Sequence, residues 1–390
     1  MATILFLFSL VVYTVIPDKS YTVIPDKSYT QYAYKGLANY GNTCFANSTI
    51  QALIHLPPVK NTLKAKAKAD DNKNDVCAYL YKIHEYTSDT QNEGKDYVQT
   101  EELKQLTYGE IRIACPIFEG TGIQEDANAY YQCLVNKIYT ADDQFYSPFH
   151  FDEISKIILE SSDNKSTPLS NYTIISNGSG GLSIAIPIND KKQSLIELLD
   201  QHRKPGELDV WKDDNNNKYT NEDGLRRQIV NQNWPSVLYF HLKRFEQRTE
   251  VYKKKTDEKT DEKAIMSKIT NVIDIPEHFK TKQLEPVIST EKPDVSYTLY
   301  SVVNHIGTSL NSGHYVNFSR EQDGDGDGDG DGDGGGSYTW FKFSDTDVTT
   351  VGKRYKDVLD LTDVGVPYML FYVRDDWQSL TPKSRPSTSS

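Results

Sequence analysis

A change of pattern along the chain does most to limit the fold. From Pro235 onward, six segments read as strands: SVLYFHLKRF, KITNVIDIP, YTLYSVVNHIG, GHYVNFSR, YTWFKFSD and YMLFYVR. Short runs rich in Val, Ile, Tyr and Phe suit a pleated, packed surface. Helical spacings come earlier. One runs from Cys44 to about Leu56 and stops at Pro57-Pro58, which cannot continue a helix. Another spans about Gln124 to Tyr139, with Ala127, Tyr130, Tyr131, Leu134 and Ile138 on one face. Helices first and strands later predict an α+β architecture with an antiparallel sheet. The middle, about 145 to 233, is mixed and polar, with DDNNNKYTNED as an evident loop.

Length and charge narrow the function classes. A chain of 390 residues can hold one large domain or two ordinary ones, and 37% hydrophobic residues supply a real core. Its net charge of -12 argues against nucleic acid, whose phosphates need clustered Lys and Arg. Part of that charge sits in one Asp-Gly tract, Asp323 to Gly334, so the body of the protein is only mildly acidic.

Repeats mark the surface. YTVIPDKS occurs at 13–20 and again at 21–28, KTDE at 255–258 and 259–262, and Asp-Gly six times in succession. Such slippage survives in exposed loops and termini, where added length costs little closure entropy. The Asp-Gly tract lacks the Glu that closes a calcium loop, so it reads as a solvated loop. The apolar start, MATILFLFSLVVYTVIP, is short for a membrane span. It resembles the hydrophobic part of a signal peptide but has no preceding Lys or Arg and no obvious small-residue cleavage site. A targeting signal, a weak anchor, a start-site artefact and a packed strand all stay open, and any membrane contact would come through this segment alone.

The four cysteines, Cys44, Cys77, Cys115 and Cys133, form no C-x-x-C pair and no disulfide scaffold, and they read as reduced thiols. Cys44 differs from the rest by its setting. Gly41-Asn42 permits a tight turn, and Asn42 or Thr43 can cap the helix that follows. The cysteine then falls in a first helical turn, where free amide N–H groups and the positive dipole end favour a thiolate. A cysteine hydrolase also needs a base. Of eight histidines, His314 is favoured, because Gly313 allows close approach of a backbone or substrate and the strand after it holds the ring. His241 reads as core, and His55, near a helix end, as structural.

GLANYGNTCFANSTIQAL resembles the cysteine box of the ubiquitin-specific proteases, and YTLYSVVNHIGTSLNSGHYVNFSR resembles their histidine box. QEDANAYYQCLVNKI, WPSVLYFHLKRF, IDIPEHF, WFKFSD and PYMLFY resemble further blocks of that family in its order, so the likeness covers about residues 35 to 374. The resemblance implies a papain-like fold with a helical thumb, an antiparallel palm and fingers at about 150 to 233. Residues 1 to 34 would form an N-terminal segment, 323 to 336 a loop, and 375 to 390 a flexible tail. It implies thiol-dependent hydrolysis of the isopeptide or peptide bond after the C-terminal glycine of ubiquitin, with ubiquitin and ubiquitinated proteins as partners. The place of action would be the cytoplasm of a eukaryotic cell, reached directly or by export through an N-terminal signal. An inactive ubiquitin-binding module on the same fold, or a protease for another modifier ending in Gly-Gly, would carry the same blocks.

The resemblance also assigns residues. Cys44 would be the nucleophile, His314 the general base and acid, and Asn39 the oxyanion donor together with the Cys44 backbone N–H. The family usually has Asp or Asn directly after the aromatic of W-x-x-F, and here that place holds Ser344, followed by Asp345. Either Ser344 orients His314, or Asp345 does so directly or through water. Asp126, Gly313 and Tyr315 would meet substrate, Asp126 near the arginines of the ubiquitin tail. Many members carry four zinc-binding cysteines in the fingers. This chain has none there, so a metal-free finger is expected, and no cofactor.

Overall fold

A computed structural model describes residues 34–69, 76–89, 96–109, 122–139, 147–160, 166–169, 173–177, 181–187, 192–203, 206–207, 209–213, 215–231, 234–253, 260–284, 294–310, 312–322 and 337–380. The apolar start with its tandem repeat, the first KTDE copy and the Asp-Gly tract lie outside these residues.

Helices lead. The first helix, Cys44–Ile54, is buried along its whole length. A helix enclosed on every side must satisfy its polar side chains internally. Thr49 donates to the Phe45 carbonyl at 2.7 Å, and Gln51 donates to that of Lys35 at 3.3 Å. That helix stops short of Pro57 and Pro58, as expected. They open a second helix, Pro57–Ala69, since proline is welcome at a first turn whose N–H groups have no helical partner. Helices Val76–Ser88, Glu101–Thr107 and Ala127–Ile138 complete the thumb. The last buries the predicted face, with Ala127, Tyr130, Tyr131, Leu134 and Ile138 all at or below 1% exposure.

The palm is an eight-stranded sheet. Its order runs Asp347–Gly352, Tyr338–Ser344, Ser312–Gln322, Ser296–Ser309, Val366–Arg374, Val237–Lys243 and Gly181–Ala185, with His278–Lys280 beside Ser296–Ser309. Neighbours are antiparallel except the last pair, where Gly181–Ala185 joins from the polar middle as a parallel edge. KITNVIDIP forms no palm strand: its Lys268 ends the strand Thr260–Lys268, and Ile273–Asp274 pairs outside the palm. Both palm faces are covered, and that explains the near-continuous apolar runs. Along Val366–Arg374, Met369, Phe371 and Val373 join the core under the thumb, while Leu370 and Tyr372 join a second core on the other face. Helix Leu195–Arg203 helps cover that second face through Leu195, Leu198 and Leu199.

The fingers form a separate five-stranded sheet built around Phe151–Glu160 and Leu225–Asn231. Two expectations need correction. The chain beyond 374 is not all free tail, since Trp377 packs against the thumb core and Arg374 pairs with Asp376 at 2.5 Å. The cysteines are not all reduced. Cys44 and Cys77 are free, but Cys133 is disulfide-bonded to a partner outside the described residues. Pairing depends on approach in space, of which sequence spacing carries no trace. Among the described residues, no helix is long and apolar enough to cross a membrane.

Candidate active site

Cys44 is the first residue of helix Cys44–Ile54 and only 3% exposed. The turn before it uses left-handed backbone at Gly41 (φ 103°) and Asn42 (φ 52°), which suits these two residue types. Neither expected cap is made. Thr43 occupies the N-cap position, but its hydroxyl accepts from the Tyr40 N–H at 3.1 Å and lies 3.2 Å from Asn39 Oδ1. Asn42 instead donates to the Gly122 carbonyl at 2.8 Å.

The sulfur accepts hydrogen bonds from the backbone N–H groups of Tyr315 and Phe45, and both favour a thiolate. Burial works the other way and wins, with the Asp345 carboxylate adding to it. The thiol is pushed up to about 11. The expectation of a ready thiolate is therefore corrected, because loss of water outweighs what the helix start supplies.

His314 lies on the strand Ser312–Gln322, opposite Ile306 of the neighbouring strand. Its Nε2 is 2.9 Å from Ser344 Oγ. The next residue, Tyr315, sends its N–H to the Cys44 sulfur, so the strand carrying His314 lies against the start of helix Cys44–Ile54. Ser344 ends its strand, and Asp345 follows in left-handed backbone at φ 50°. That twist carries the Asp345 carboxylate away from the imidazole. Oδ2 accepts from Asn39 Nδ2 at 2.8 Å, and Oδ1 accepts from Asn47 Nδ2 at 2.8 Å. The Asp345 carbonyl accepts from the Leu37 N–H at 2.7 Å, which fastens the palm turn to the segment leading into the helix. Asn39 is held on its other side too, Oδ1 accepting from the N–H groups of Gly41 at 2.9 Å and Thr43 at 3.2 Å.

The residues expected to meet substrate are also engaged within the fold. Asp126 is the N-cap of helix Ala127–Ile138 and accepts from the Asn128 N–H at 2.9 Å and the Tyr368 hydroxyl at 2.8 Å. Burial holds its carboxyl above the ordinary range against those two bonds. Gly313 has φ 132°, and a Cβ there would stand 2.2 Å from the Ile306 carbonyl oxygen. What approaches this glycine closely is thus the adjacent strand. Tyr315 is 1% exposed, with its ring edge-on to His305 at 4.7 Å. Asn47, Tyr368, His305 and Lys268 were not among the expected site residues. Asn47 lies in the quoted cysteine box one turn after Cys44, a signal that was available. Among the described residues, no group of three or more His, Cys, Asp or Glu is placed to hold a metal ion.

A buried thiol at a helix start and a hydroxyl-bound imidazole on the adjoining antiparallel sheet fit the papain-like architecture of thiol hydrolases. The family is narrower still. The chain belongs to the ubiquitin carboxyl-terminal hydrolase family, whose model matches residues 35–372. It is 27% identical over 372 residues to ubiquitin carboxyl-terminal hydrolase 23 of Arabidopsis thaliana, covering 90% of this chain and 36% of that protein. It is 24% identical over 368 residues to ubiquitin carboxyl-terminal hydrolase 8 of Saccharomyces cerevisiae, covering 86% and 70%. The chain thus spans about a third of the plant relative's length. Its fold is similar to that in a SAGA DUB module bound to monoubiquitin, with TM-score 0.62, 24% identity and coverage of 88% and 69%. A module bound to ubiquitin aldehyde matches at TM-score 0.60 and 24% identity, covering 88% and 70%.

Proposed function

We propose that this chain is a thiol-dependent deubiquitinase that cleaves the bond after the C-terminal glycine of ubiquitin through a thioester on Cys44. The observation that carries the reading is the His314–Ser344 bond at 2.9 Å, made by Nε2 on the strand that touches the sulfur. It leaves Nδ1 as the ring atom that can take a proton. A base is required, because a thiol at about 11 would be ionised in about one molecule in ten thousand at pH 7. Family membership and the ubiquitin-bound relatives support the choice of substrate.

The steps follow from the residues. His314 takes the thiol proton as the sulfur adds to the glycine carbonyl carbon. Charge gathers on the carbonyl oxygen, within reach of the Cys44 N–H and of Asn39. The Asn39 amide has two hydrogens. Asp345 holds one, and the other is free to meet the oxyanion. The tetrahedral centre collapses, His314 passes its proton to the departing amine, and water then hydrolyses the thioester. The Asp126 carboxylate would receive an arginine of the ubiquitin tail. The enzyme would act where ubiquitin conjugates are found, in a eukaryotic cytoplasm.

The test is a ubiquitin carrying a C-terminal electrophile, incubated with the full chain and mapped by mass spectrometry. A single adduct on Cys44 is expected, together with cleavage of lysine-linked diubiquitin. An intact protein that gives no adduct would overturn the reading, and preferential labelling by another Gly-Gly modifier would reassign the substrate.

A further inference from the structure

The hairpin that delivers His314 is irregular. Its register runs from Ile306↔His314 to Ser309↔Ser312, so Gly307 and Thr308 together face the single residue Gly313. Gly307 (φ 109°) and Gly313 (φ 132°) both sit in left-handed backbone. A bulge of this kind interrupts the ladder and leaves its carbonyls to find other donors. Here one side chain from a different hairpin meets them. Lys268 Nζ donates to the carbonyls of Gly307 at 2.6 Å and His305 at 2.9 Å, and it lies 2.8 Å from His305 Nδ1.

An ammonium has three donors, and these three acceptors match them. All are neutral, so the contact is not an ion pair. Burial, Lys268 and His314 hold the His305 imidazole down to about 4, which leaves its Nδ1 lone pair available to the lysine. Burial and Arg244 bring Lys268 down to about 8, so its charged, fully donating form prevails at neutral pH. The contact also leads to the reacting atoms. Lys268 ends the strand Thr260–Lys268 and pairs with Phe245, whose ring stands edge-on to His305 at 5.2 Å. His305 is fully buried and lies opposite Tyr315 in the ladder, and the Tyr315 N–H reaches the Cys44 sulfur.

We propose that Lys268 is a positioning residue of this active site, its three hydrogen bonds locking the bulged strand segment 305–309 in the form that sets His314 against Cys44. This rests on reading Cys44 and His314 as the reacting pair. A hairpin freed of the lock would move the imidazole by an ångström or so, and a displacement of that size costs about a hundredfold in rate.

The test compares Lys268→Met, which keeps length and removes every donor, with Lys268→Arg, which restores donors. One readout is kcat and KM on ubiquitin with a C-terminal fluorogenic amide. Another is the rate at which iodoacetamide alkylates Cys44 at pH 7, with His314→Ala setting the floor. Lys268→Met is expected to lower kcat about 10- to 100-fold with KM within about threefold. Its alkylation rate should fall toward the His314→Ala value, and Lys268→Arg should recover part of both losses. Should Lys268→Met not fold, by circular dichroism, Lys268→Leu, which also removes every donor, takes its place. A folded variant whose kcat stays within twofold of wild type, or whose Cys44 alkylates at an unchanged or faster rate, overturns the proposal. Alkylation needs no ubiquitin, so a wrong substrate assignment would show as wild-type inactivity while this arm still decides on Lys268.

Discussion

The side-chain amide of Asn39 donates to the carboxylate of Asp345 at 2.8 Å, across 306 residues of sequence. This bond makes one acidic residue the support of a neutral donor and keeps it off the imidazole. It has an electrostatic cost, because the same carboxylate adds to the forces that keep Cys44 protonated. Replacing Asp345 by Ala should therefore have opposed effects. The resting thiol should become easier to ionise, yet kcat should fall about 10²-fold as Asn39 loses its orientation. Asn39→Ala should fall by a similar factor, and the double variant should be little worse than either alone. Steady-state kinetics on the four proteins decide, and additive losses would mean that Asp345 acts by another route.

On the proposed mechanism Ser344 matters more than it would beside a ready thiolate. With the thiol at about 11, turnover depends on a base aimed at it. Removing the hydroxyl in Ser344→Ala should cost about tenfold or more in kcat. In Ser344→Asp a carboxylate would face the ring and favour its charged form. The base form would then appear at higher pH, so the acid limb of kcat/KM should move upward by about one unit. A limb that stays in place or moves down would contradict the contact with Nε2.

Cys44 also links stability to pH. Its folded value is raised from 9.0 to about 11, so the protonated thiol is favoured by folding. That contribution is fully present below about pH 9 and is lost as pH rises toward 11. Two units correspond to about 2–3 kcal/mol. Urea titrations at pH 7 and pH 10.5 should show wild type losing more stability than Cys44→Ser, whose side chain does not titrate in this range. Equal losses in the two proteins would place the sulfur in a better-solvated setting.

Legibility in the sequence followed the range of the interaction. The helices at Cys44 and Ala127 and most palm strands announce themselves through local period. Cys44 and His314 stand out as candidates once the two boxes are recognised, and WFKFSD offers Ser344 and Asp345 together. PPVKNTLKAKAKA was missed as a helix because its prolines read as a stop when they serve as a first turn. The edge strand Gly181–Ala185 lay in a polar stretch whose pairing with Val237–Lys243 is decided far along the chain. The Ser344–Asp345 ambiguity could not be resolved from residue types. What separates the two in the fold is one left-handed φ at Asp345, which sends the Ser344 hydroxyl to His314 and the Asp345 carboxylate to Asn39. Burial of the Cys44 sulfur was likewise invisible, because the atoms that exclude water come from the palm.

His55, read as structural, anchors a buried cluster whose disruption should affect stability and leave chemistry alone. It sits just past the nucleophile helix with Nδ1 2.5 Å from Glu321 Oε1, and Lys60 reaches the same carboxylate at 3.1 Å. Burial keeps His55 below its usual range, so the ring is neutral and donates, while Lys60 supplies the charge. Burial alone would raise Glu321, but the His55 bond and Lys60 outweigh it and hold the carboxyl below the ordinary range. Such a depressed group stabilises the fold above its unfolded value near 4.5 and loses that contribution as pH falls through its folded value. Glu321→Gln should accordingly destabilise the protein by about 3 kcal/mol at pH 7, because one member of a buried set is left without compensation. The deficit should shrink as pH drops below about 4.5, and kcat at temperatures where the variant stays folded should remain within about twofold. Chemical denaturation across that pH range reads the first effect and turnover the second. A loss of kcat without loss of stability would mean that the far end of the nucleophile helix bears on the sulfur in a way these contacts do not convey.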